Sequence, residues 1–118
     1  MVVAISKTGQ SQELTTLVER LARRGIHVVA VTESPDSPFA VAAGSVAVLP
    51  RTSAEADPGD MIAMASTLAV GAWGDAVAVV TMSMRGHTLA DVIDSHPAGG
   101  VGVRERRPGD DTAPVVTP

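Results

Sequence analysis

The sequence predicts an α/β fold in which a short parallel sheet is crossed by helices, and two observations carry that prediction. Apolar strand-like runs alternate with stretches of helical periodicity, the order that gives parallel strands joined by crossovers. The apolar content is also made of small side chains: 45% of residues are hydrophobic, yet Phe39 and Trp73 are the only aromatics among 118 residues. Small side chains bury little area each, so such a core depends on close packing of short strands under helices.

Taken in order, Val2-Val3-Ala4-Ile5 is a short continuous apolar run that reads as a strand. Ser6 to Ser11 follows as a hydroxyl-rich loop, and Leu14, Leu17, Val18, Leu21 and Ala22 then recur at helical spacing. Arg23 and Arg24 fall in the last turn and Gly25 stops the helix. Ile26 to Val31 is mostly β-branched and predicts a second strand, and Thr32 to Pro38 is a loop with two prolines. Phe39 to Ala43 predicts one or two helical turns closed by Gly44, and Val46 to Leu49 a third strand. Pro50 to Asp60 is polar and loop-like, with Asp57-Pro58 as a helix start. Residues 61 to about 85 predict one long helix, apolar nearly all round. Thr88 to Asp91 matches a capping box before a short helix, whereas Ser95 to Gly100 cannot be helix interior. From Arg104 onward charge, Pro and Gly dominate, which predicts a disordered tail over 104–118.

Composition excludes several functions. Thirteen acids against nine bases give a formal charge of −4, without the basic face that a nucleic-acid binder needs. With no cysteine there is no disulfide, thiolate metal site or thiol nucleophile. His27, His87 and His96 show no ligand spacing, so no metal site is expected. Met61 to Met82 is 22 residues with Asp75 as its single charge, long enough to span a bilayer. Its Ala, Gly, Ser and Thr content and the central acid favour a buried helix and no membrane partner. The strand-like run directly after Met1 leaves no room for a signal peptide, which favours the cytoplasm.

Ligands of parallel sheets bind beyond the carboxyl ends of the strands, which directs attention to residues 6–11, 32–38 and 50–60. Ser6, Thr8 and Ser11 supply hydroxyls, Gly9 lets backbone approach a ligand, and a helix start follows. Free N–H groups and the helix dipole there favour an anion such as a phosphoester. The spaced glycines and Gly-Lys-Ser/Thr order of a nucleotide loop are absent. The same residues can instead be a plain helix cap with Lys7 turned to solvent. Glu13 in the first helical turn can compensate the dipole or sit beside a ligand, and Glu55 can be a solvated loop acid or a site acid. His96, before Pro97, is biased to extended backbone and can be an ordinary surface histidine.

Three passages together resemble one family. VVAISKTGQSQE (2–13) resembles the phosphate loop of the sugar isomerase (SIS) domain, and VVAVTESPDSPFAVAA (28–43) the segment that follows it. GDAVAVVTMSMRGHTLADVIDSHPAGGV (74–101) is similar to the D-arabinose 5-phosphate isomerase branch. The resemblance implies a partial SIS domain over 1–103, a three-layer parallel sheet of flavodoxin-like order with only about three strands here. The helices and two strands that open the domain, and the paired CBS domains that follow it in the branch, have no counterpart in this sequence. Residues 2–5 would then form an apolar sheet edge.

The resemblance further implies an aldose–ketose isomerase acting on a sugar phosphate, with Glu13, Glu55 and His96 as catalytic residues. The phosphate would lie on Ser6, Thr8, Gly9 and Ser11, with no cofactor, in a homotetramer or homodimer whose sites are shared between subunits. Moving a carbonyl between C1 and C2 needs a carbon base and acid–base help at two oxygens. Glu55 is assigned the carbon base and Glu13 and His96 the oxygen protons, with the two Glu roles exchangeable. The family's lysine from an earlier Gly-rich loop has no counterpart, and Lys7 does not replace it. Residues 63–67, AMAST, are less hydroxyl-rich than the matching stretch of the branch. A non-catalytic SIS module that binds a sugar phosphate for regulation, and a degenerate fragment, are the alternative readings.

Overall fold

The computed structural model describes residues 1–115. The elements run β1 (Val2–Ile5), α1 (Gln12–Arg23), β2 (Val28–Thr32), α2 (Pro38–Ala42), β3 (Ser45–Val48), a single 3-10 turn over Pro58–Asp60, α3 (Ala65–Met84) and α4 (Leu89–Ser95). The three strands are all parallel, in the order β1-β2-β3. The chain divides into two compact units, Met1–Trp73 and Gly74–Pro118, with the division inside α3.

In the first unit the register sets Ala4 beside Ala30 and Val46, and Ile5 beside Val31 and Ala47. Successive residues of a strand point to opposite faces, so these rows belong to the two sides of the sheet. The Ala4 side is the core: Ala4, Val18, Val28, Ala30 and Phe39 form one buried cluster, joined by Leu14, Leu21, Ala42 and Ala43. Helices α1 and α2 thus cover this face, and the alanines let them come close. Of the expected apolar stripe of α1, Val18 is buried and Leu14 and Leu21 are half-buried, while Leu17 and Ala22 are exposed. The stripe is narrow because α2 shares the same small face. β2 is the central strand and is buried along most of its length. β1 pairs with β2 alone, so its outer side is an unpaired apolar edge among the described residues, as the resemblance implied.

Local chemistry explains the boundaries. Ser11 caps α1 by accepting from the Leu14 N–H at 3.4 Å, and Gly25, at φ +72°, turns the chain out of it. Ser37 caps α2 and Pro38 opens it with the φ that a helix needs.

Two expectations about the long helix need correction. Its start is Ala65 rather than residue 61, because the Asp57 carboxylate accepts from the Met64 and Ser66 N–H groups and so fixes the first turn there. Nor is it buried: its 18-residue apolar window, of mean hydropathy 1.3, has no buried share. No further layer among the described residues covers it. By length and composition it could cross a membrane, with Asp75 near its centre.

In the second unit the capping box at α4 forms as expected. Asp91 N–H donates to the Thr88 hydroxyl at 3.2 Å, and Thr88 N–H to the Asp91 carboxylate at 2.8 Å. Residues 104–115, expected as part of a disordered tail, form turns tied to the start of α4. Leu89 N–H donates to the Ala113 carbonyl (3.1 Å), Ala90 N–H to Asp110 (3.2 Å) and Val115 N–H to His87 (3.1 Å). Arg106 pairs with Asp94 and Asp111, so the tail's charges neutralise one another. The last three residues of that tail lie outside the described residues.

Phe39 is the only large aromatic in the core cluster and is fully buried. Phe39→Ala is expected to lower the unfolding free energy by about 3–5 kcal/mol in urea titrations, against less than about 0.5 kcal/mol for Val41→Ala on the exposed side of the same helix.

Candidate functional site

The loop after β1 is built around a glycine. Gly9 has φ +65°, and a Cβ there would lie 2.0 Å from Ser37 Oγ, so no other residue fits without displacing the α2 cap. Gly9 N–H donates to Ser6 Oγ at 3.2 Å, which folds the loop back on itself. The Lys7 carbonyl accepts from Thr32 Oγ1 (2.9 Å) and Glu33 N–H (3.0 Å), pinning the loop to the end of β2. Ser6 is half-buried, Thr8 is exposed and Gly9 is buried. Ser11 is occupied as the α1 cap, and its hydroxyl points at that helix start. The first N–H groups of α1 have no partner within their own helix, as at any helix start.

The Lys7 side chain is not turned to solvent. Its Nζ lies 2.9 Å from Asp57 Oδ2 and 2.6 Å from Asp60 Oδ1, and only 21% of the side chain is exposed. Asp57 has no exposed side-chain surface. Besides Lys7, it accepts from Met64 N–H (2.8 Å), Ser66 N–H (3.1 Å) and Thr52 Oγ1 (3.2 Å). Thr52 also donates its N–H to Glu33 at 3.2 Å, and its hydroxyl, 2.9 Å from Glu33, shares its single proton between the two carboxylates. The loops at the carboxyl ends of β1, β2 and β3 are therefore joined in one polar network, Lys7–Asp57–Thr52–Glu33. The Lys7 ammonium, followed by donors from Ser66 and Met64, holds the Asp57 carboxyl far below its ordinary 3.8. Hydrogen bonds to Asp57 and Asp60 raise the Lys7 ammonium above its ordinary 10.5.

Beside this network lies a cleft of about 250 Å³. Its floor is apolar, from Ile5, Val31, Leu49 and Val70, and its rim carries Ser6, Lys7, Thr32, Glu33, Ser66 and Thr67. A second hollow brings Lys7 and Thr8 together with Asp57 and Asp60. The sheet-end rule thus places cavities where the sequence expected them.

The residues expected at the site are only partly gathered. Ser6 lines the cleft and Thr8 the adjoining hollow. Glu13 stands in the first turn of α1, exposed, on a shallow surface depression with Gln12, Thr16 and Arg20. Glu55 is exposed on the loop after β3. His96 belongs to the second unit, where it ends α4 and its Nδ1 lies 2.8 Å from the Val92 carbonyl and 3.0 Å from Ser95 Oγ. No cluster of three metal-binding side chains occurs among the described residues.

The SIS domain family matches residues 1–79, which hold all three strands and the network at their carboxyl ends. The chain belongs to the SIS domain family. Among curated SIS relatives, Arabinose 5-phosphate isomerase KdsD of Escherichia coli O157:H7 is 38% identical over 102 residues, 86% of this chain and 31% of its own length. KdsD of Pseudomonas aeruginosa is 36% identical over 104 residues, 88% of this chain and 32% of its own. Arabinose 5-phosphate isomerase GutQ of Escherichia coli K12 is 36% identical over 100 residues, 85% of this chain and 31% of its own. The chain thus spans about a third of the length of these relatives. No solved structure gives a significant match.

Sequence reasoning missed Asp57, Thr52 and Glu33. Asp57 was read only as a helix start before Pro58, and it caps α3 rather than the turn that follows it. A signal was present: parallel topology brings the loops after β1 and β3 to the same sheet end, so a lysine in one and an acid in the other could have been paired.

Because Asp57 is held below its ordinary 3.8, its contribution to stability is complete above that pH and fades as pH falls below it. Lys7 is raised above 10.5, so its contribution is complete below that pH and fades as pH rises beyond it. The thermal midpoint is therefore expected to be flat from about pH 5 to 9 with losses on both sides. Asp57→Asn should lower the plateau and shrink the acid limb, as read by thermal unfolding across pH.

Proposed function

We propose that this chain forms part of a sugar-phosphate aldose–ketose isomerase of the arabinose 5-phosphate/ribulose 5-phosphate type, working through an enediol. The observation that carries the reading is the similarity to proteins named arabinose 5-phosphate isomerase over 102 residues. The hydroxyl-bearing loop at the carboxyl end of β1 supports it.

In this reading the phosphate lies on Ser6, Thr8, Gly9 and Ser11 at the start of α1, where N–H donors and the helix dipole offset its charge. Lys7 adds little net attraction, because two carboxylates already neutralise it. Glu55 removes the carbon-bound proton at C2, and Glu13 and His96 move protons at O1 and O2. The Glu55 carboxyl that takes the C2 proton exchanges it with water before a proton is returned to C1, so the sugar is rearranged with no net redox change and no cofactor. Exposed carboxylates are weak carbon bases, so this reading needs Glu55 to lose water on substrate binding, which raises its basicity. The assembled protein is a cytoplasmic homo-oligomer, with His96 serving a neighbouring subunit's site.

A second reading, a SIS module that binds a sugar phosphate without turning it over, is favoured by one observation. Glu13 and Glu55 are both exposed, and Glu13 opens onto a depression of its own. Arabinose 5-phosphate labelled with tritium at C2 separates the two. An isomerase releases label to water, and Glu55→Gln is expected to slow that release by about 10²–10⁴-fold. Binding without release establishes the module instead, and release at the normal rate from the variant removes Glu55 from the role of base.

A further inference from the structure

Asp57 stands at the meeting point of three chain segments that are distant in sequence. Its carboxylate takes the Lys7 ammonium from the loop after β1, the Thr52 hydroxyl from the loop after β3, and two N–H groups from the start of α3. Glu55 lies two residues away and makes no side-chain hydrogen bond or ion pair among the described residues. The backbone around it is held only locally: Ala56 and Asp57 N–H both donate to the Ser53 carbonyl, at 3.1 and 3.0 Å. Ala65 N–H reaches the Ala56 carbonyl at a long 3.4 Å. For residues 53–57, Asp57 is therefore the one side chain among the described residues that anchors the segment to other elements.

We propose that Asp57 is a positioning residue that locks the Glu55 segment to the anion-binding loop through Lys7. The consequence for catalysis rests on the isomerase reading, whereas the geometry does not. A base and a phosphate site act on one substrate only if their separation is fixed, and a displacement of about 1 Å can cost about 10²-fold in rate. The pair suits this task because it is short, shielded and doubly supported. Lys7 sits between two phosphate-site residues, Ser6 and Thr8, so its pairing with Asp57 restrains the loop that would hold the anion. Asp57 is anchored from behind by α3, so the pair transmits a fixed distance from helix to loop. Asp60, exposed and 2.6 Å from Lys7, adds a second contact but touches neither Thr52 nor α3.

The test uses the full chain with Asp57→Asn, Lys7→Met and Lys7→Arg. Amide hydrogen exchange is followed at Ser53–Asp57, with Val28–Thr32 of β2 as the reference. Asp57→Asn and Lys7→Met are each expected to speed exchange at Ser53–Asp57 by about tenfold relative to β2 of the same variant, and Lys7→Arg to stay within about threefold of wild type. With arabinose 5-phosphate as substrate, Asp57→Asn is expected to lower kcat by about 10²-fold with KM within about threefold. If Asp57→Asn loosens the whole sheet, the ratio of exchange at Ser53–Asp57 to exchange at β2 decides in both variants, because Lys7→Met also leaves a buried carboxylate uncompensated. Unchanged exchange at Ser53–Asp57 in Lys7→Met overturns the proposal. So does a loss in Asp57→Asn that falls on KM alone. A wild-type chain without turnover contradicts the isomerase reading for this chain, and the exchange result then upholds or overturns the lock by itself.

Discussion

A carboxylate with no exposed surface must be compensated where it stands, because removing its charge from water is costly unless donors replace the lost hydration. Asp57 meets that demand with an ammonium, a hydroxyl and two backbone N–H groups. The donors come from three chain segments that are distant in sequence. The compensation therefore fixes the start of α3, the loop after β3 and the lysine of the loop after β1 at one sheet end. The cleft over Ile5, Val31 and Leu49 exists because those three pieces are held apart and in place. A parallel sheet supplies the ends of the strands, and one buried charge arranges the loops upon them.

The same arrangement sets the electrostatic character of the site. Lys7 lies in a loop suited to an anion, yet Asp57 and Asp60 leave the local sum negative, at one cation against two carboxylates. An anion bound at Ser6, Thr8 and Gly9 must then rely on N–H groups, hydroxyls and the α1 dipole. That is a moderate attraction, suited to a small phosphoester held for turnover or signalling. The apolar lining of the cleft beside it offers little to a second charged group.

The fold was legible in the sequence because its signals are local. The β-branched and apolar runs at 2–5, 26–31 and 46–49, the Gly25 stop and the Thr88 capping box each depend on a few adjacent residues, and each gives its element to within two residues. The start of α3 was misplaced because its cap comes from Asp57, eight residues before Ala65, across a turn with Gly59 at φ +65°. Helical periodicity cannot report a cap delivered from outside the helix. The expected burial of α3 failed for a related reason: hydropathy says that a surface is apolar, not that something covers it. At the site, Ser6 and Thr8 were readable as loop hydroxyls. The Lys7–Asp57 pair, 50 positions apart, depends on which strands are neighbours, and no single motif holds that information.

We propose above that the loop after β1 is an anion site and takes a sugar phosphate. Amide chemical shifts of the chain, followed during titration with arabinose 5-phosphate and separately with arabinose, test it most directly. Saturable shifts are expected at Thr8–Glu13 with the phosphoester, with smaller shifts along Ser66–Val70 at the cleft and none with the unphosphorylated sugar. Equal responses to both sugars, or shifts that leave Thr8–Glu13 untouched, would contradict it.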